Sequence, residues 1–138
     1  MYLNNVFLSQ KEFNGDLTKI LLRLLLGGLM AYHGISKLYS FHELLPFFPD
    51  LIGIGSHTSL MLVIFAELVC GTFVIFGILT RLTVLPICIT MMIAYFLAHS
   101  NDPFQTKELS FVFLGLSMIV FITGSGSWSI DHLMFTKK

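Results

Sequence analysis

Hydrophobic and polar positions in this chain fall into long blocks rather than short alternations. Four nearly continuous apolar stretches run over about 17–39, 58–79, 82–99 and 107–123. From Thr58 to Thr80 only Glu67 is charged, and there is no Lys, Arg, Asp or Glu between Arg81 and Asp102 or from Leu109 to Ile130. Stretches of about 18 or more apolar residues are long enough to cross a hydrocarbon core of ~30 Å. Lipid demands that backbone hydrogen bonds close internally, so unbroken apolar runs predict helices rather than the alternating strands of a barrel. The pattern therefore predicts an all-α fold: an integral membrane four-helix bundle forming a single transmembrane domain over residues 1–138.

The connections refine this layout. Asn14-Gly15-Asp16 reads as a helix start. The first stretch is too long and begins too late for a cleavable leader, and no small-x-small site follows it. Gly77-Ile78-Leu79-Thr80-Arg81 is a tight link, so the second and third helices form an antiparallel hairpin. Pro86 is expected to loosen or kink the third helix. Residues 40–57 form a long, aromatic external loop with Pro46, Pro49, Gly53 and Gly55. Two readings stand for it: an interfacial connector, or a lid over the bundle mouth. Residues 100–107 make a short polar loop, and 123–131 a glycine-broken turn in which Trp128 is an interfacial anchor.

Charge sets the orientation. An even number of spans puts both termini on one side, together with Lys11, Lys19, Arg81, Lys137 and Lys138, against Lys37 and Lys107 on the other. The positive-inside rule then places both termini in the cytoplasm. Composition agrees with a lipid setting: 55% of residues are hydrophobic and 12% charged, against roughly 25% charged in soluble domains. A formal net charge of zero gives no reason to invoke nucleic acid. Cys70 and Cys88 fall inside apolar spans, which excludes an extracellular disulfide framework. Buried apolar fillers and a redox pair are the two readings of these thiols.

Polar groups inside the spans follow helical spacing. Arg23, Gly27, Met30, Gly34 and Lys37 share one face, with His33 beside it. The second helix offers Glu67, Gly71, Val74 and Ile78, with Cys70 adjacent. The third offers Arg81, Leu85, Cys88, Met92, Tyr95 and His99, and the fourth Glu108, Val112, Gly115, Ile119 and Ile122. Small residues allow close helix approach and polar ones avoid lipid, so the four stripes are expected to face one another. At ~1.5 Å rise per residue, Arg23 lies roughly 9 Å and Glu67 roughly 18 Å from the cytoplasmic end, which predicts an Arg23–Glu67 ion pair. On the same scale His33 and His99 lie roughly 24–27 Å in, near Lys37 and Glu108. That outer cluster has the chemistry to hold an anionic or quinone-like head group or to relay a proton. A purely structural network is the competing reading, with a bis-histidine haem a remote third. No metal is assigned, and Gly-rich phosphate loops, GxSxG, HExxH and CxxC are absent from the sequence.

The ordered set Arg23-Leu-Leu-Leu-Gly27, His33-Gly34-Ile-Ser-Lys37-Leu38, Ala66-Glu67-Leu, Gly77-Ile-Leu-Thr-Arg81, His99, Lys107-Glu108 and Gly124-Ser-Gly126-Ser-Trp-Ser129-Ile-Asp131 resembles the DoxX family of small four-helix bacterial membrane proteins. The resemblance runs from about residue 17 to 131. It implies a multi-pass protein of the bacterial inner (plasma) membrane, and a link to quinone-coupled sulfur oxidation or to oxidoreductase complexes of thiol and oxidative-stress defence. On the matching positions, Arg23, His33, Lys37, Glu67, Arg81, His99 and Glu108 would form the polar set. Three functions follow. The chain is a redox-linked subunit that binds a quinone or similar amphiphile, at most the membrane half of an oxidoreductase whose soluble or membrane partner supplies electrons. It is a small-solute carrier, which with so narrow a bundle calls for homo-oligomers. Or it is a non-catalytic assembly protein whose charges only specify packing.

Overall fold

The computed structural model describes residues 14–136. Lys11, Lys137 and Lys138, three of the basic positions used for orientation, lie outside the described residues. Helix α1 spans Gly15–Tyr39, and a short α2 spans Phe41–Leu44 and continues into a 3-10 turn at Leu45–Phe47. Three longer helices follow, α3 (Ser56–Phe76), α4 (Thr80–Ala98) and α5 (Phe104–Thr123), and the last is the short α6 (Ile130–Phe135). Among the described residues there is no strand.

Helices α3, α4 and α5 are each long and apolar enough to cross a membrane. Helix α1, at 25 residues, is longer than any of them but carries Lys19, Arg23, His33 and Lys37, which lower its apolarity. Its start carries the expected cap: the Asn14 side chain accepts from the Leu17 N–H. Helix α4 runs through Pro86 without interruption. Its change of pitch comes later, at the π-helical segment Ala94–Ala98, and α3 widens in the same way over Phe65–Cys70.

Helix α1 packs along α3 and α4 along α5, and the two pairs meet through α1–α5 and α3–α4 contacts. The shared core holds Leu26, Met30, Cys70, Val74, Val84, Ile87, Met91, Phe113 and Val120. The predicted stripes of α1 and α3 are the buried ones: Arg23, Gly27, Met30 and Gly34 on α1, and Glu67, Cys70, Gly71 and Val74 on α3. Those of α4 and α5 are corrected. Arg81, Leu85 and Met92 are exposed, and α4 buries Thr80, Thr83, Val84, Ile87 and Met91 instead. Glu108, Val112, Gly115, Ile119 and Ile122 of α5 are all exposed, while Phe113, Ser117 and Val120 face inward. The physical reason is that lipid accepts apolar side chains as readily as a core does, so composition does not mark the inner face of an apolar helix.

Glycines set the α1–α3 spacing. A Cβ on Gly34 would lie 2.5 Å from the Leu68 backbone nitrogen, and one on Gly27 2.5 Å from the Gly71 carbonyl oxygen. Backbone cannot swing aside as a side chain can, so these contacts tie the two helices at one separation and one register. Gly34→Ala or Gly27→Ala is therefore expected to cost about 1–3 kcal/mol through forced separation. Gly28→Ala and Gly115→Ala, where no neighbour lies within 4 Å, should leave stability unchanged or slightly higher. Thermal unfolding in detergent micelles separates the two outcomes.

Candidate functional site

Polar side chains gather at opposite ends of the helices. At one end the α3–α4 turn closes on Gly77, whose φ of 68° and ψ of 46° lie in the left-handed region. Ile78 N–H donates to the Phe73 carbonyl and Gly77 N–H to that of Val74, the paired bonds of a Schellman stop. Leu79 is also left-handed, at φ 45°, a strained state for a residue with a γ-branched side chain. Asp131 holds it there: one carboxylate oxygen accepts from Leu79 N–H at 2.6 Å, the other from Thr80 N–H and Thr80 Oγ1, both at 2.9 Å. The residue that caps α4 therefore comes from α6, fifty residues along the chain.

The same segment reaches α1. Asp16 accepts from the backbone N–H and the hydroxyl of Ser127. Arg23 is buried, and its Nη2 donates to the Trp128 carbonyl at 2.7 Å. Its Nε and Nη1 have no partner among the described residues, and a Cβ on Gly77 would collide with Nη1. Arg81 donates from Nε to the Phe121 carbonyl at 3.2 Å. Arg23 and Arg81 thus fasten backbone, and this end is a clamp joining α1, the hairpin turn and the segment after α5. The Trp128 side chain itself is 73% exposed.

At the opposite end lies a cavity of about 650 Å³. Met30, His33 and Lys37 of α1, Ser59, Ala66 and Glu67 of α3, Thr90, Met91 and His99 at α4, and Leu109, Ser110 and Phe113 of α5 line it. Phe48, Pro49, Leu51 and Ile52 of the long connection complete the wall, so that segment does fold against the helices. Lys37 Nζ lies 2.6 Å from Glu67 Oε2, with the glutamate side chain 4% exposed and the lysine 27%. The predicted Arg23–Glu67 pair is overturned. The glycine contacts set Gly34 against Leu68 and Gly27 against Gly71, so Glu67 meets the Lys37 end of α1. Arg23 lies 14 residues further back, roughly 21 Å along the axis.

Both histidines reach the cavity, as expected from their depth. The His33 ring meets the Phe113 ring edge-on at a centroid distance of 5.7 Å. His99 Nδ1 is 2.7 Å from Asp102 Oδ2, and its backbone N–H donates five residues back to Ala94, closing the second π-helical segment. Glu67 sits inside the first such segment, and widened turns of this kind recur at functional sites. Arg81 and Glu108 are exposed and do not line the cavity. Cys70 and Cys88 are both free thiols. Among the described residues no three metal-ligating side chains come together.

Sequence reasoning gave no role to Asp102 or Ser59, and it named Asp16 only as part of a helix start and Asp131 only within the family motif. The His99-x-x-Asp102 spacing was a usable signal for the first. The clamp aspartates act through contacts distant in sequence and left no local sign. Ser59 is buried, and its hydroxyl has no partner among the described residues.

The sequence model of the DoxX family matches residues 18–100. The chain belongs to the DoxX family. The match covers α1, the connection, α3 and α4, and with them His33, Lys37, Glu67 and His99, and stops before α5 and the clamp segment. This DoxX chain is also 27% identical over 124 residues to the Bacillus subtilis (strain 168) protein named "Putative oxidoreductase CatD", spanning 89% of this chain and 91% of that protein. No solved structure matches it significantly.

Trp128 is the single tryptophan and reports the clamp. The hydrogen bonds from the Ser127 hydroxyl and backbone hold Asp16 below the usual carboxylate range. A depressed folded-state value means that Asp16 stabilises the clamp fully above its unfolded-state titration and ceases to do so as pH falls through the folded one. Trp128 emission should therefore change on acidification below the ordinary carboxylate range. In Asp16→Asn the changed emission should already be present at neutral pH, and that response should vanish. Arg23→Met, which strands the Trp128 carbonyl, is expected to cost about 1–3 kcal/mol of thermal stability.

Proposed function

We propose that this DoxX protein is a redox-linked membrane subunit that binds a quinone or a similar small amphiphile in the cavity at the Lys37–Glu67 end. The single observation that carries this reading is the cavity itself. Its volume is that of a small-molecule site, its wall is largely apolar, and its few polar groups converge from different helices. An amphiphile's ring would rest against apolar side chains such as Met30, Met91 and Phe113, with its oxygens toward Lys37, His33 and Ser59.

A bound quinone supplies two-electron, two-proton chemistry. In this reading the side chains manage the protons. Lys37 is a donor held in place by Glu67, and the two ring nitrogens of His33 can accept and donate a proton. His99, tied to Asp102 at the rim, connects the interior to water. Electrons come from a soluble or membrane oxidoreductase partner, in keeping with the name of the Bacillus subtilis relative. In this reading the protein is a single four-span domain of the bacterial inner membrane with both termini in the cytoplasm. The contact between Asp16 at the start of α1 and Ser127 after α5 supports a shared side. Arg23, Arg81, Asp16 and Asp131 serve the assembly of the helices, so the packing reading applies to the clamp end and the ligand reading to the cavity end. Homo-oligomers remain compatible with the exposed apolar faces of α4 and α5.

Extraction of the detergent-purified protein should yield quinone at a stoichiometric level, above that of an equal mass of co-purified lipid. A decylbenzoquinone titration should show binding that weakens at least tenfold in Lys37→Met. The charge-neutral pair Lys37→Met with Glu67→Gln keeps the fold and should stay weak. Quinone at the lipid background level, with equal titrations for all three proteins, contradicts the reading.

A further inference from the structure

Resting on the reading of the cavity as an amphiphile site, we infer that its ligand arrives sideways from the bilayer, through a slot between the outer halves of α3 and α4. The ligand is therefore a single-chain amphiphile dissolved in the membrane, with its tail lying in the slot.

The slot follows from how the two helices pack. Over Phe65–Phe76, α3 runs against α4, whereas its first half, Ser56–Ile64, packs mainly on α1 and the Leu45–Phe47 turn and has no comparable contact with α4. Residues of both helices nevertheless wall the same cavity. Three of these wall residues, Leu62, Phe65 and Ile89, are also 51%, 49% and 51% exposed. Where α3 and α4 part, the cavity wall is therefore open as well as apolar, and it belongs to two helices long and apolar enough to cross a membrane.

On the aqueous side Phe48, Pro49, Leu51 and Ile52 of the connection line the cavity, so a solute from water meets apolar side chains there too. A chain already in lipid meets an apolar slot that costs it no desolvation. The deep end of the space holds Lys37 and Glu67, which draws the polar head inward and leaves the tail in the slot. Ser59 adds a specificity element. It is 91% buried by its 9% exposure, lines the cavity, and its hydroxyl lacks a partner among the described residues. Buried hydroxyls are almost always hydrogen-bonded, so an oxygen on the ligand head completes this one.

The test uses the full chain in phosphatidylcholine vesicles with a decylphenol probe that bears a diazirine on its tail. Photolabelling should map to Leu62, Phe65 and Ile89. Ile89→Trp and Leu62→Trp, both at the rim of this opening, should cut labelling at short times at least tenfold with unchanged thermal stability. Met118→Trp, on the exposed face of α5, should leave it unchanged. Ser59→Ala should weaken competition by decylbenzoquinone about threefold to tenfold, the worth of one hydrogen bond. Wild-type labelling in both rim variants, or equal competition by phenol without a tail, overturns the lateral route. The two readings fail separately. Rim-dependent labelling that decylbenzoquinone does not compete rejects the quinone and keeps the slot. Quinone binding indifferent to the rim variants does the reverse.

Discussion

A carboxylate buried among apolar helices has to meet a positive charge, and Glu67 meets Lys37. An unpaired charge near the middle of a bilayer costs about 2.5–3.5 kcal/mol on insertion scales, so this pairing limits how α1 and α3 can sit. The 2.6 Å contact forms because Gly27 and Gly34 let the backbones approach until Gly34 faces Leu68. Any larger residue at those positions would push α1 outward and move Lys37 from Glu67. Register, helix spacing and the polar floor of the cavity are consequences of one close contact line.

The remaining charges divide by end. At the clamp end, Asp131 supports the strained Leu79 turn and caps α4, Asp16 holds Ser127, and Arg23 holds the Trp128 carbonyl. These groups complete backbone hydrogen bonding where helices stop, a need that lipid and low dielectric sharpen. At the cavity end the polar groups leave a space open. His33 touches an aromatic ring, Ser59 has an unused hydroxyl, and the ion pair borders the opening.

The fold was largely legible because long apolar blocks specify helices, and the predicted 17–39, 58–79, 82–99 and 107–123 lie close to the observed α1, α3, α4 and α5. The inner faces of α1 and α3 were legible too, since each combines glycine with a charge. Those of α4 and α5 were not. Their buried Thr83, Val84, Ile87, Phe113 and Val120 differ little from their exposed Leu85, Ile89, Val112 and Ile119, and lipid makes no distinction among them. Helical depth alone brought His33 and His99 to one cavity, yet it paired Glu67 with the wrong cation. Depth along an axis says little about register between helices, which the glycines decide. Arg23 finds its acceptor in a loop carbonyl some hundred residues away, a partner no spacing rule supplies.

The most direct measurement of the central claim is a charge-swap cycle at the buried pair, read by thermal unfolding in micelles. Lys37→Glu and Glu67→Lys each leave two like charges facing one another and should unfold several degrees below the parent protein, with Lys37→Glu combined with Glu67→Lys recovering most of that loss. Single changes that merely add, with no recovery in the doubly exchanged protein, would mean that Glu67 and Lys37 do not meet in the folded membrane protein.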